Sequence, residues 1–573
     1  MQTPPDIAIR QCARIRGWSL LVLIVCSSVL LTIPARVVWL QQAPSPHLTA
    51  SIERSTSRTR PLVRRGDLLD RRGRLLATSS VGRRAFIDPA LVTDPPTLGS
   101  QLHQAIGVSG SSVQRVMAGR THLRYVALPG LLEDWQVQRL RAQPIKGVYL
   151  ESVPIRQYPQ QFGAASLVGT VGYEHTGLAG VEHTLQDDLA STTGRLDTFR
   201  DAARRMMWVP PDGFDPGTDG QDIRLSIDLA VQQKAQERLS HAVSELGAAG
   251  GRLVVVDPTT GELLAVAQAS RDNASDAAAT RLQRIRCVSD PYEPGSTFKP
   301  FVWAAATSAG LVGVDEVLPT PRSTGHRTTF GRLIRDAHYY GPSTWRKVLI
   351  KSLNSGMAIV AERMTHDSMQ RLVSQLGFGR VSGCGLPGET AGLVTPDSKW
   401  SNYTQTSVAM GHEIGVTPIQ MAQAFCVFAR DGTVPSVTIR ARSQDARMVT
   451  TRIFEPEAAA LTRQIMHEVM LQGTGRRARS SLYTMFGKTG TAQMPKARGG
   501  GYHEDRYISS FIAGAPLDNP QLVVLCVIED PDKSLGAYYG GSTAGPVVRD
   551  LIDYTLPYLG ISPDIDTQAQ PPA

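Results

Sequence analysis

The sequence predicts a multi-domain α/β protein. An N-terminal transmembrane helix leads into a mixed module of strands and helices, then a larger domain with an antiparallel sheet flanked by helices. Three observations carry this reading. Trp18 to Ala35 (WSLLVLIVCSSVLLTIPA) holds no charged residue and is just long enough to span a bilayer as a helix. The 573 residues suffice for two or three domains with proper cores. After the apolar segment, strand-like runs are interleaved with helical spacing and broken by Gly and Pro.

Arg10, Arg14 and Arg16 precede the apolar segment, which favours a cytoplasmic N-terminus. The segment is long for the core of a cleaved signal peptide, and no clear small-x-small site follows it. The expectation is therefore a cytoplasmic tail over 1–17 and an uncleaved signal anchor over 18–40, with the remainder outside the cytoplasm. Residues 41–60 are polar and loop-like. Arg65 to Ala77 (RGDLLDRRGRLLA) reads as a strand pair turning at Arg72-Gly73, where glycine can take φ > 0. Met207 to Gly220, rich in Pro, Gly and Asp, is a hinge by composition.

The larger domain opens with an alternating strand, Asp222 to Asp228, and a helix, Leu229 to Leu246. Gly251 to Ala267 is a hairpin whose first strand is continuously apolar, so it should be central and buried on both faces. A largely helical stretch follows over 345–375, then a glycine-rich loop over 377–392 and an apolar helix over 418–429. Strands are expected over 483–493, 507–515 and 521–528. Residues 557–573, rich in Pro, Asp and Gln, are expected to be disordered.

The formal net charge of +9 is uneven: residues 1–74 carry twelve arginines against Asp6, Glu53, Asp67 and Asp70. A basic stretch beside an apolar segment suits an anionic membrane surface. No interleaving of aromatic and basic residues supports a nucleic-acid partner. Six cysteines, at 12, 26, 287, 384, 426 and 526, show neither Cys-x-x-Cys spacing nor clustering with histidine. They read as free thiols, with no metal site and no disulfide framework.

Chemistry concentrates around Glu293-Pro-Gly-Ser-Thr-Phe-Lys299. Pro294-Gly295 makes a turn, Thr297 to Ala306 an apolar helix, and Gly310 a plausible stop. Ser296 then stands at a helix N-terminus with Lys299 one turn along the same face. A desolvated lysine can serve as the base a serine nucleophile needs. Alone, Ser-x-x-Lys is weak, and the plainer reading, an N-cap serine with a surface lysine, would win. Two further fragments change that: Lys351-Ser-Leu-Asn354 supplies Ser-x-Asn, and Phe486-Gly-Lys488-Thr-Gly-Thr491 supplies Lys-Thr-Gly. In this order, roughly 55 and then about 135 residues apart, the three resemble the signature of penicillin-binding proteins and serine β-lactamases.

The chain as a whole resembles a class B penicillin-binding protein, over roughly residues 60–556. Arg65 to Ala77, Arg156-Gln-Tyr-Pro159, Gly169-Thr-Val-Gly172 and Gly177 to Glu182 look like the motifs of that family's non-catalytic module. They are read as locking that module to the catalytic domain rather than touching substrate. Gln161 to Ser166 departs from the family pattern. The resemblance implies an elongated α+β pedestal over 41–220 and a serine β-lactamase-like transpeptidase domain over 221–556.

It also implies the roles. Ser296 is the acyl acceptor and Lys299 its base, kept neutral by desolvation and by the cation of Lys488. Ser352 passes a proton to the leaving amine, and Asn354 orients lysine and substrate. Lys488, Thr489 and Thr491 bind a substrate carboxylate, while Gly490 allows close backbone approach. The backbone N–H groups of Ser296 and Thr491 form the oxyanion hole. No cofactor is needed. Arg284-Ile-Arg286 with Asp290, Ile334-Arg-Asp336, Leu386 to Glu389, Val416 to Gln420 and Tyr539-Gly-Gly541 look like landmarks that hold the fold. Two departures stand out: Leu353 in the middle motif, and Gly411-His412-Glu413, where His412 reads as structural rather than as a catalytic acid.

The implied activity is a monofunctional peptidoglycan D,D-transpeptidase in the bacterial inner membrane, acylated by β-lactams. The Lys-Thr-Gly-Thr form, short tail and compact pedestal favour the septal over the elongation type. The implied partners are stem peptides, a membrane-embedded glycan polymerase and cell-division proteins. A β-lactam sensor, a hydrolase (β-lactamase or carboxypeptidase) and an inactive scaffold are the rivals.

Overall fold

In a computed structural model, described over residues 5–43, 45–59, 61–160, 163–201, 205–271, 277–443, 448–496 and 501–566, the chain divides into two units. One comprises residues 1–63 and 192–218, the other 64–191 and 219–573.

In the first unit the apolar run lies within a single helix, Pro5–Gln42. Its stretch Gln11–Gln42 is the one helix among the described residues long and apolar enough to cross a membrane. The expected loop over 41–60 is instead a helix, Pro46–Ser55, and a strand, Thr56–Thr59. That strand pairs antiparallel with Arg195–Arg200, which also pairs with Met206–Trp208 and Phe214–Asp215. The hinge read over 207–220 is therefore in part sheet. Its Pro and Gly make the turn Pro210–Gly213, closed by a 2.9 Å backbone hydrogen bond, and Trp208 stacks on Phe199 at 5.4 Å. The pedestal over 41–220 is likewise not one body, because strand pairing between residues 56–59 and 196–199 draws both ends of that range into the first unit.

The second unit is built on a five-stranded antiparallel sheet in the order Leu263–Ser270, Gly250–Val256, Leu522–Glu529, Tyr502–Ala515, Phe486–Pro495. Gly250–Val256 is buried along its whole length, as its continuous apolarity requires. Its side chains alternate between two cores. Val254 and Val256 face one core with the helices Lys299–Ser308 and Pro418–Ala429; Leu253 and Val255 face another with Leu229–Glu245 and Ala544–Tyr558. The last strands begin at Phe486, Tyr502 and Leu522, a few residues from their expected starts. Of the expected strand 222–228, Ile223–Arg224 pairs in parallel with Leu68–Leu69, and Leu225 makes an isolated antiparallel bridge to Arg440.

Residues 64–191 add a second sheet around the long strand Leu75–Ile87, paired with Val148–Gln157. The turn at Gly73 has φ +83, as the sequence indicates. Arg65 and Arg156 both bond the carboxylate of Glu182, at 2.7 and 2.6 Å, and all three are buried. This trio ties the module's own segments together. The lock onto the catalytic domain comes from the same opening motif, as expected: Arg72 and Arg74 bond Asp228, and Asp70 accepts from the N–H of Leu229. Gln161 and Phe162, within the departing stretch, lie outside the described residues.

The C-terminus corrects the expectation of disorder from residue 557. The helix runs to Tyr558, whose hydroxyl bonds Asp228 at 3.0 Å. Tyr483 then donates to the carbonyl of Ile561, and Ile565 N–H to that of Leu482. Polar composition missed these contacts because backbone groups make two of them. Residues 567–573 lie outside the described residues. Cys287, Cys384, Cys426 and Cys526 are buried free thiols, as expected.

Candidate active site

The residues Glu293 to Lys299 form a turn of 3₁₀ helix, Gly295–Thr297, running into the helix Lys299–Ser308. Pro300 fits the first turn because its missing N–H has no intrahelical partner there. Ser296 is half-buried and lines a cleft of about 530 Å³, whereas Lys299, one turn on, is wholly buried. Two glycines let other segments close on this turn. A Cβ on Gly411 (φ +80) would lie 2.0 Å from the carbonyl oxygen of Gly295. One on Gly490 would lie 2.3 Å from Ser510 Oγ and 2.9 Å from the carbonyl of Pro294. Gly490 thus seats its strand against the serine turn, the close backbone approach that glycine permits.

Ser-x-Asn sits where two helices meet. Trp345–Lys351 ends at Ser352, held in the left-handed region (φ 59), and Asn354 begins the helix Asn354–Ala361. A non-glycine residue there costs about 1–3 kcal/mol and persists only when its surroundings hold it. Here two amines hold it. Lys299 Nζ donates to the Ser352 carbonyl at 2.7 Å, to Ser352 Oγ at 3.4 Å and to Asn354 Oδ1 at 2.6 Å. Lys488 Nζ donates to Ser352 Oγ at 2.8 Å and to the Thr489 carbonyl at 3.1 Å. Asn354 Nδ2 donates to the carbonyl of Arg335, which fixes the amide's orientation.

Both amines are fully buried and neither bonds a carboxylate. Burial brings Lys299 down from 10.5 to about 7, with Asp336 pulling the other way. Lys488 lies well below its ordinary value, first through burial and then through the charge of Lys299. The two buried amines thus disfavour each other's charge, and burial disfavours both. An amine near 7 is poised to accept a proton at neutral pH.

Thr489 and Thr491 lie on Phe486–Pro495, the edge strand of the sheet, and line the same cleft as Ser296. Thr489 Oγ1 shares a 2.7 Å hydrogen bond with Thr474 Oγ1. Thr491 Oγ1 accepts from the N–H of Gly540 at 3.1 Å and keeps its own proton for donation. The structure thus brings Ser296, Lys299, Ser352, Asn354, Lys488, Thr489 and Thr491 to one place.

The cleft also has walls that motif reading assigned elsewhere. Tyr539, Gly540 and Gly541, read as holding the fold, line it, together with Thr474, Arg476 and Arg477. Tyr539-Gly-Gly541 was visible as a motif, but nothing in its composition distinguishes a cleft wall from a turn. Arg284 and Arg286 do pair with Asp290, and Asp336 caps the helix after Ser352 through the N–H of Ser355 at 3.0 Å. His412 also lines the cleft, its ring nitrogen 3.0 Å from Glu293 and its ring edge-on to Tyr502.

Comparison with known proteins agrees with this geometry. Residues 251–553 match the penicillin binding protein transpeptidase domain, and residues 61–225 the penicillin-binding protein dimerisation domain. The chain belongs to the class B penicillin-binding proteins. It is similar to a probable peptidoglycan D,D-transpeptidase, PbpC, of Pseudomonas aeruginosa, 31% identical over 93% of this chain and 94% of that one. Stage V sporulation protein D of Bacillus subtilis is 29% identical over 96% of this chain and 87% of its own length. Among solved structures, penicillin-binding protein 3 of Mycobacterium tuberculosis, complexed with aztreonam, superposes with a TM-score of 0.66 at 25% identity. That match covers 88% of this chain and 98% of the other.

Proposed function

We propose that this chain is a peptidoglycan D,D-transpeptidase that closes crosslinks through an acyl-enzyme on Ser296. The observation that carries the reading is the pair of buried amines meeting at one serine hydroxyl, beside the turn that bears Ser296. Ser296 Oγ attacks the carbonyl carbon of the D-Ala–D-Ala peptide, and its proton passes to neutral Lys299. Ser352, within reach of both lysines, returns a proton to the leaving nitrogen as the C–N bond breaks. An amine from a second stem peptide then attacks the ester, loses its proton by the same route and restores Ser296. The N–H groups of Ser296 and Thr491 steady the oxyanion, and the hydroxyls of Thr489 and Thr491 take the donor's carboxylate. A β-lactam enters as donor and stays as a stable acyl group.

The helix Pro5–Gln42 anchors the chain once, with Arg10, Arg14 and Arg16 on the cytoplasmic side and the catalytic domain outside. The chain works at the division septum beside a membrane-embedded glycan polymerase and cell-division proteins. The proposed parts are a cytoplasmic tail over 1–17, a membrane anchor over 18–40 and a transpeptidase domain over 221–556.

The deciding experiment is fluorescent-penicillin labelling of membranes, followed by product analysis with stem-peptide substrates. A covalent band lost in both Ser296→Ala and Lys299→Ala, with crosslinked dimers as product, supports the reading. A band that survives Ser296→Ala overturns the nucleophile, and free tetrapeptide as sole product points to a carboxypeptidase. Depletion that blocks constriction supports the septal role; rounding of cells points to elongation.

A further inference from the structure

The cleft is one-sided in charge. Lys351, Arg476 and Arg477 line it, and no aspartate or glutamate is among its lining residues. Both arginines are exposed, on the short turn Arg476–Ala478 that follows the helix Pro456–Gln472. Among the described residues neither forms an ion pair. The loop that carries them is tied to the carboxylate-binding strand, because Thr474 Oγ1 bonds Thr489 Oγ1 at 2.7 Å.

The lysine on that strand is a weaker source of charge for a ligand. Lys488 is wholly buried and points at Ser352 Oγ and the Thr489 carbonyl. Burial and the neighbouring Lys299 both disfavour its protonated form. Arg476 and Arg477, exposed at the rim, are thus better placed than buried Lys488 to meet a carboxylate arriving at Thr489 and Thr491.

We infer that Arg476 and Arg477 supply the positive charge that draws the acyl donor's carboxylate into the cleft and holds it at Thr489 and Thr491. This inference rests on the acylation reading above. The ligand class is a carboxylate-bearing acyl donor, either a D-alanine terminus or a β-lactam that imitates it. Clefts lined by one sign of charge concentrate oppositely charged ligands and speed their capture, an effect that fades as salt rises. The arginines thus act on capture and hold no proton in transit.

The test compares full-length protein in detergent, wild type against R476Q/R477Q and R476K/R477K. The readout is the second-order rate of Ser296 acylation by benzylpenicillin at low and high salt, with adducts located by mass spectrometry. The methyl ester of benzylpenicillin, which lacks the carboxylate, is the control. The expected result is a rate about tenfold lower or more in the glutamine pair, with a flattened salt dependence. The lysine pair should recover most of the rate, and the ester should acylate all three proteins within about twofold of one another. Equal benzylpenicillin rates and salt slopes in wild type and the glutamine pair would overturn the inference, as would an equal slowing of both reagents. If neither reagent acylates Ser296 in folded wild-type protein, the acylation reading fails first and this inference falls with it.

Discussion

Two buried clusters of charge in this protein are arranged on opposite principles. Around Glu182, two arginines meet one carboxylate in bonds of 2.6 and 2.7 Å, with a further guanidinium N–H of Arg65 satisfied by the Glu182 carbonyl. Around Ser352, two lysines meet a hydroxyl, an amide oxygen and backbone carbonyls, and no carboxylate bonds either. A buried cation with its anion keeps its proton and pins segments together. A buried amine without one gives up its proton readily, which is what a general base requires. The first arrangement serves architecture and the second chemistry.

Replacement of the groups on each side separates the two principles. Ser296→Ala should abolish covalent labelling by penicillin while leaving the melting temperature nearly unchanged; residual stable labelling would place the nucleophile elsewhere. Lys299→Met should lower the acylation rate by about 10²–10⁴-fold, the usual contribution of a positioned base. Because it removes a buried amine that has no bonded carboxylate, but also its hydrogen bonds to Ser352 and Asn354, the same change should alter stability only modestly. Marked destabilisation by Lys299→Met would dissolve the contrast.

Glu182→Gln works the other way. Leaving two buried arginines without their anion should cost about 3–5 kcal/mol of stability, read by denaturant unfolding, with acylation of the folded fraction preserved. A large acylation defect in folded Glu182→Gln protein would show that the trio reaches the chemistry. The smallest expected effect on the rate is in its pH dependence. Lys299 has its folded pKa lowered to about 7 from 10.5, so the unfolded chain binds more protons between those values. Stability from this group should therefore rise with pH across that window. The acylation rate should climb as pH passes through about 7 and level off above it. A rate that is flat from pH 6 to 9 would remove Lys299 as the base.

Much of the site was legible in the chain. Ser296 to Lys299, Ser352 to Asn354 and Lys488 to Thr491 each combine residue types that chemistry needs at short range, and each lies on the element its local pattern indicates. The uncharged run at Trp18 and the wholly apolar strand at Leu253 were legible for the same reason, since burial and spacing are written residue by residue. Arg476 and Arg477 were not, because an exposed arginine pair reads as an ordinary solvated turn until a cleft is seen beside it. The sheet formed by Thr56–Thr59, Arg195–Arg200 and Met206–Trp208 was missed because its strands are short and recruited from distant positions.

Taken alone, then, the sequence determined the membrane-length helix, the alternation of strands and helices, and the identity of the reacting groups. These follow from local periodicity, composition and side-chain chemistry. Tertiary structure decided which charges find partners. Whether an arginine faces Glu182, or a lysine the hydroxyl of Ser352, depends on contacts between residues 26 to 136 positions apart. Those contacts set the local dielectric and the neighbouring charge, and through them decide which buried cation is a strut and which is a base.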